Sequence, residues 1–246
     1  MFPLRFIERR EIARGVGHYV FQRDDGQALD FNPGQFVQIH FQYADGNAAK
    51  RSYSLATRHD HTMGPNDHIE IAVSHVPGGS GTALFEALQP EDRLHASGPH
   101  GQFCLKPGDS NRRYLLIATG TGIATYRAMM PLLERQMARR DLQVTLLFGA
   151  RTHADLLYAD EFRAWTDRSP AFRFIPCLSR EPAGNLRPGE RSGRVQRHLA
   201  ELQPDPVHDI AYLCGNPAMV DACVEALKAS GLRMAHIRRE KYTSSQ

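Results

Sequence analysis

Leu115-Leu-Ile-Ala-Thr-Gly-Thr-Gly-Ile-Ala124 is the stretch on which the fold turns. The apolar run Tyr114–Ala118 has the length of a buried strand. It enters Thr119-Gly120-Thr121-Gly122, and a helical pattern follows at once over Ile123–Arg140. Glycines permit a tight turn and close approach of a ligand. The free N–H groups at a helix start can hold a pyrophosphate. The pattern is not a full GxGxxG, because Thr125 stands at its last position. The turn therefore reads either as a dinucleotide-binding loop or as a sharp crossover that binds nothing.

Toward the C-terminus the alternation continues. Strand patterns at Gln143–Gly149, Phe172–Leu178, Asp209–Leu213 and around Ala235–Ile237 interleave with helical ones at Asp155–Trp165, Val195–Leu202 and Ala218–Ser230. That order predicts a mainly parallel sheet covered on both faces. Toward the N-terminus the texture differs. Phe36–Phe41 alternates after the turn pair Pro33-Gly34, and Ile69–Val76 alternates up to Pro77-Gly78-Gly79. Strands so spaced predict an antiparallel sheet or barrel. Gly81–Leu88 is the one helix-like segment of this half, stopped by Pro90. Polar residues Lys106–Arg113 look like a connection, which divides the chain into domains 1–105 and 106–246.

Composition excludes several classes. The net charge of +3 is too mild to indicate nucleic acid, though it suits an acidic protein partner. No apolar run approaches the roughly 20 residues of a membrane span, and the N-terminus carries no secretory pattern, so the cytoplasm is the expected address. Cys104, Cys177, Cys214 and Cys223 form no CxxC pair, and the twelve histidines show neither HxxH nor HExxH spacing, so no metal site is expected.

Two further groups carry chemistry. Arg151 follows the second strand of the α/β half, Ser179-Arg180 the third, and Gly193-Arg194 lies beyond. Basic groups at strand ends suit the extra phosphate of NADP, since the guanidinium fork donates paired hydrogen bonds. Each arginine alone is equally a solvated surface charge. In the first half, Arg51-Ser52-Tyr53-Ser54 on a strand would place Arg51 and Tyr53 on one face, with Ser52 and Ser54 on the other. A flavin needs an aromatic surface, a donor near N5 and positive charge for its pyrophosphate. These residues offer all three, although Tyr and Arg on a strand also serve packing and surface. Gly79-Ser80-Gly81-Thr82 opens the helix-like segment with a second nest of N–H groups. Cys214 equally fits a small packed core residue, Glu240 a surface acid in a charged run, and Trp165 a packed helix position.

The chain resembles the ferredoxin–NADP⁺ reductase family, and is similar above all to its bacterial ferredoxin/flavodoxin reductases. The resemblance rests on RSYSLAT (51–57), GGSGTALF (78–85), ATGTGIATYRAM (118–129), FGAR (148–151), SRE (179–181), GRV (193–195), YLCGNPAMV (212–220) and REKY (239–242), in family order. It implies an N-terminal FAD-binding β-barrel and a C-terminal NADP-binding α/β domain, with the flavin ring between them. By that match Arg51 binds the FAD pyrophosphate, Tyr53 packs on the isoalloxazine, Ser54 hydrogen-bonds near flavin N5, and Gly79, Ser80, Gly81 and Thr82 lie at the FAD pyrophosphate. Thr119, Gly120, Thr121 and Gly122 take the NADP pyrophosphate, while Arg151, Arg180 and Arg194, with Ser179 beside them, bracket the 2′-phosphate. Cys214 and Gly215 lie by the nicotinamide, with Glu240 as a nearby acid. Relatives end at an aromatic that covers the flavin; here Tyr242 is followed by Thr243-Ser-Ser-Gln246, so either Tyr242 covers the ring or the tail reshapes the pocket.

The implied activity is hydride transfer between NADP(H) and bound FAD, with single electrons exchanged with ferredoxin or flavodoxin as a separate molecule. The alternative is an NAD(P)H-dependent flavin reductase or the reductase component of an oxygenase system. A monomer is expected.

Overall fold

The computed structural model describes residues 1–43, 45–59 and 67–242. The chain forms two compact units, residues 1–105 with 124–131, and 106–123 with 132–245. The first is a six-stranded antiparallel sheet of β1 (Phe2–Ala13), β2 (Val16–Arg23), β3 (Phe36–Gln42), β4 (Ala48–Ser54), β5 (Ile69–Ser74) and β6 (Arg93–His100), in the order β4-β3-β6-β1-β2-β5. A single bridge, Leu55 to Ile71, and the hydrogen bond from Ala56 N–H to the Glu70 carbonyl (2.7 Å) join the two edges and close the sheet into a barrel. Closure removes the unpaired edges that an open sheet would expose. Alternate residues fill the interior: Leu4 and Phe6 of β1, Tyr19 and Phe21 of β2, Val37 and Ile39 of β3, all buried.

Helix α1 (Ser80–Ala87) lies wholly within this unit. Its last carbonyls, Phe85 and Glu86, accept from Arg9 Nη1 at 3.1 and 3.0 Å, and Phe85 packs edge-on against Tyr19 at 4.8 Å. A cation at a helix C-terminus satisfies carbonyls that lack helical partners, so Arg9 fixes the helix that the glycine turn opens.

The second unit holds six strands: β7 (Arg113–Thr119), β8 (Gln143–Ala150), β9 (Phe172–Leu178), β10 (Arg191–Ser192), β11 (Asp209–Gly215) and β12 (Ile237–Lys241). Every pairing is parallel, in the order β10-β9-β8-β7-β11-β12. Among the described residues the sheet is thus wholly parallel. The helices are α2 (Ile123–Arg139), α3 (Ala159–Arg168) and α4 (Pro217–Ala229). One face of the sheet, through Leu115, Ile117, Ile175 and Leu213, packs against Val220, Cys223 and Leu227 of α4. The other receives α3, whose Phe162 lies 5.4 Å from Phe174. Burial on both faces explains why these strands are continuous apolar runs.

Three local elements differ from the sequence pattern. The segment expected as a helix from Asp155 begins as a turn at His153–Asp155, closed by a reciprocal Thr152–Asp155 cap, and α3 starts only after Tyr158, which is left-handed (φ 54°). Val195–His198 and Ala200–Leu202 are two short turns rather than one helix, and the last strand begins at Ile237, after a turn at Met234–His236. At 153–158 the Thr152–Asp155 cap and left-handed Tyr158 consume residues that periodicity assigns to the helix, and left-handed Gln203 ends the turns at 195–202.

A buried charge cluster holds residues 124–131 in the first unit. Arg127 Nη1 donates to the Ala56 carbonyl (2.6 Å) and to the Glu70 carboxylate, while His18 Nε2 lies 3.3 Å from the same carboxylate. Burial pushes the Glu70 carboxyl up, but the His18 hydrogen bond and the Arg127 charge outweigh it and bring it to about 2. A carboxyl lowered on folding stabilises the fold above its unfolded value near 4.5, and that contribution drains away as pH falls toward 2. Glu70→Gln should therefore be less stable than wild type at neutral pH. The gap, followed by urea unfolding, should narrow by up to about 3 kcal/mol between pH 4.5 and 2.

Candidate functional site

In the first unit the four residues of β4 alternate. Arg51 and Tyr53 are half-buried on one face; Ser52 is exposed on the other and accepts from Gln38 Nε2 at 3.3 Å, and Ser54 is buried. Arg51 is held at its tip. Its Nη2 donates to Tyr43 Oη (2.8 Å), its Nη1 to the Lys50 carbonyl (3.1 Å), and its guanidinium leans on the Phe41 ring at 5.8 Å. Tyr53 packs edge-on against Phe85 of α1 at 5.1 Å, and burial pushes its phenol up to about 12, so it stays neutral.

The glycine turn sits against this face. A Cβ on Gly81 would stand 3.3 Å from Tyr53 Oη and 4.0 Å from Arg51 Cγ, whereas one on Gly78 would meet nothing within 4 Å. Thr82 Oγ1 accepts from Val76 N–H at 2.8 Å and ties the turn down. Gly79 is the helix N-cap in extended conformation, without a side-chain cap, so first-turn N–H groups remain for a ligand. Ser80 opens α1; its side chain lies outside the described set. Phe41, Tyr43, Gly78, Gly79 and Thr82 border a groove of about 420 Å³. Two aromatics and a helix N-terminus thus border one hollow, with Arg51 bonded to Tyr43 at its edge and Glu86 in its wall, and these groups fit a dinucleotide flavin. The sequence alone does not mark Phe41 and Tyr43 as groove residues, because the two-residue period groups them with the interior positions Val37 and Ile39.

In the second unit the strand order reverses between β7 and β11, and ligands of such sheets bind outside the carboxyl ends of strands at that reversal. Thr119–Gly122 and Gly215 occupy the position. A Cβ on Gly122 would stand 2.5 Å from the Cys214 carbonyl oxygen, and one on Gly215 (φ 130°) 2.5 Å from the Thr119 oxygen. Thr119 Oγ1 also accepts from Asn216 N–H at 3.1 Å. Gly120, by contrast, has φ 55° and open space where a Cβ would be. Two glycines bring the strand ends together and the third leaves room for a ligand at the start of α2, with Thr121 beside it. Asn216 caps α4, accepting from Ala218 and Met219 N–H, and Pro217 holds the first helical position.

The arginines line up along the same end of the sheet. Ser179 N–H donates to the Ala150 carbonyl (3.0 Å), Arg180 N–H to the Arg151 carbonyl (2.8 Å) and Gly193 N–H to the Leu178 carbonyl (2.8 Å), so the ladder runs past the strand ends. Arg151, Arg180 and Arg194 are exposed, and their guanidinium groups make no hydrogen bond or ion pair among the described residues.

Beyond Gly215 lies the acid. Cys214, fully buried, is in register with Glu240 of β12, and its Sγ is 4.0 Å from Glu240 Oε2. Tyr242, half-buried, continues the ladder by donating its N–H to the Gly215 carbonyl at 2.8 Å. The tail at 243–246 lies outside the described residues.

Two domain families match this architecture: the oxidoreductase FAD-binding domain over residues 3–104 and the oxidoreductase NAD-binding domain over residues 116–225. Ferredoxin–NADP reductase B of Sorangium cellulosum is 33% identical over 98% of this chain and 97% of its own length. The reductase subunit of aromatic O-demethylase from Amycolatopsis is 36% identical over 88% of this chain, which spans 62% of that protein. The crystal structure of the Amycolatopsis cytochrome P450 reductase GcoB superposes with a TM-score of 0.84 at 33% identity, covering 99% of this chain and 70% of that one. Reductase components of propane 2-monooxygenase (Rhodococcus jostii) and terephthalate 1,2-dioxygenase (Comamonas) also match at 33% and 30% identity over 87% and 89% of this chain, which spans 56% and 62% of their lengths. The chain belongs to the ferredoxin reductase superfamily of FAD- and NAD(P)-binding oxidoreductases. It binds FAD and NAD(P)(H) and acts as an electron-transfer oxidoreductase. No helix among the described residues is long and apolar enough to cross a membrane.

Burial pushes the Glu240 carboxyl up to about 7. A carboxyl raised on folding costs nothing while protonated, and it weakens the fold as pH rises from the unfolded value near 4.5 through 7. Wild-type apoprotein should therefore lose up to about 3 kcal/mol relative to Glu240→Gln across that range, read from paired urea titrations.

Proposed function

We infer that this protein is the NADPH-oxidising reductase of an oxygenase-type electron chain, passing single electrons to a separate protein acceptor. The observation that carries the reading is two cofactor cradles in one chain, each built from glycines at a helix start with arginine nearby. The relatives that serve oxygenases support the choice of acceptor class over ferredoxin or flavodoxin. In this reading Arg51 meets the FAD pyrophosphate together with Gly79–Thr82, Tyr53 packs on the isoalloxazine, and Ser54 hydrogen-bonds near N5. Thr119–Gly122 holds the pyrophosphate of the nicotinamide cofactor. Arg151, Ser179, Arg180 and Arg194 hold its 2′-phosphate. Cys214 and Gly215 position the nicotinamide, Glu240 tunes the charge beside it, and Tyr242 covers the flavin face. Bound FAD supplies the conversion of one two-electron hydride delivery into single-electron steps. The protein contributes alignment and charge.

A second reading, a ferredoxin–NADP⁺ reductase, is favoured by the full-length match to the Sorangium enzyme. Anaerobic stopped-flow separates them. NADPH-reduced enzyme should be reoxidised rapidly by a [2Fe–2S] oxygenase component and at least tenfold more slowly by flavodoxin or free FMN; the reverse order would favour the second reading. The 2′-phosphate assignment has its own test. Arg180→Ala should raise the NADPH KM roughly ten- to hundredfold, the loss of a charged hydrogen bond worth about 1.5–3 kcal/mol, and leave NADH use nearly unchanged. Equal losses with both cofactors would contradict it.

A further inference from the structure

Arg180 is followed directly by Glu181, a carboxylate at the place where a dianionic phosphate is to be held. The structure keeps that carboxylate elsewhere. His153 N–H donates to Glu181 Oε2 at 3.1 Å, His153 Nδ1 lies 3.2 Å from the same oxygen, and Asn185 Nδ2 donates to Oε1 at 3.2 Å. The other ring nitrogen of His153 is 2.7 Å from Glu190 Oε2. Glu190, its side chain only 3% exposed, also takes Arg163 Nη2 at 3.2 Å and the Arg187 N–H at 2.9 Å. His153 thus stands between two carboxylates, one anchored in the interior and one next to Arg180.

His153 lies two residues after Arg151, and Glu190 four before Arg194, so the cluster touches all three arginine-bearing segments without using their guanidinium groups. Were Glu181 released, its carboxylate could pair with Arg180 or repel the phosphate. At a few ångströms in partly solvated surroundings either effect amounts to roughly tenfold in affinity.

We propose that His153 is a positioning residue for cofactor selection: it holds Glu181 away from Arg180, so that the arginines face the 2′-phosphate of NADPH with no competing anion. The proposal rests on the assignment of Arg151, Arg180 and Arg194 to that phosphate, and the test separates the two.

The test uses FAD-loaded enzyme with ferricyanide as acceptor, KM and kcat being measured with NADPH and NADH, and inhibition with 2′,5′-ADP. His153→Ala should raise the NADPH KM and the 2′,5′-ADP inhibition constant about tenfold, with kcat and the NADH KM within about twofold of wild type. Glu181→Ala alone should leave the NADPH KM at or below the wild-type value. The double variant His153→Ala/Glu181→Ala should return it to within about twofold, since the anion to be restrained is gone. A residue that merely shaped the loop would give a double variant as poor as His153→Ala or worse, and that result overturns the proposal. So does an unchanged NADPH KM in His153→Ala while Arg180→Ala raises it. If Arg180→Ala affects both cofactors alike, the phosphate assignment itself falls and the proposal with it. Should His153→Ala not fold, Glu181→Ala decides: a tenfold rise in its NADPH KM contradicts the restraint.

Discussion

The second unit depends on the close approach of two strand ends. β7 and β11 lie side by side, and the loops leaving them cross so tightly that neither Gly122 nor Gly215 has room for a methyl group, each ideal Cβ falling 2.5 Å from a backbone oxygen of the other strand's exit. Real Cβ atoms do not come that near a carbonyl. The consequence is geometric. With the exits pinned together and Thr119 Oγ1 bonded to Asn216 N–H, the starts of α2 and α4 are presented at one point, where the strand order reverses. Helix N-termini there offer N–H groups to an anion. Cys214, Glu240 and Tyr242 are placed by the same ladder, because β12 registers on β11 residue by residue.

The first unit reaches its cofactor differently. No tight backbone crossing is involved; a closed barrel fixes β4, and a short helix is held against it by Arg9 at its C-terminus and by Phe85 between Tyr19 and Tyr53. The face of β4 that carries Arg51 and Tyr53, shared with Val37 and Ile39 of β3, is the one that meets the glycine turn.

Much of this was legible in the chain. Tyr114–Ala118 running into glycine and then into a helical period declared the α/β half, and the alternation at 36–41 and 69–76 declared the barrel half, because strand and helix periods are set by backbone geometry alone. RSYS gave its two faces for the same reason. Side-chain clusters drawn from distant segments were not legible. Glu70 with His18 and Arg127 spans over a hundred residues, and nothing in the local pattern of IEIAVS marks its one acid as the partner of either. The His153 cluster is hidden likewise: the motif SRE contains Glu181, but only the fold brings His153 and Asn185 around it. The turns around 153–158 and 195–202 carry a helical residue pattern, since neither the Thr152–Asp155 cap nor left-handed Tyr158 and Gln203 leave a periodic trace.

In the proposed reading, crowding at Gly122 shapes the site that takes the nicotinamide cofactor. Gly122 has helical backbone angles (φ −58°, ψ −23°), so alanine brings no conformational strain, only the clash with the Cys214 carbonyl. Titration of Gly122→Ala with NADP⁺, followed by flavin difference spectroscopy, tests it most directly. The account predicts full FAD content, a fold weakened by about 1–3 kcal/mol and NADP⁺ binding weakened at least about tenfold. Wild-type NADP⁺ affinity in a normally stable, FAD-replete variant would contradict it.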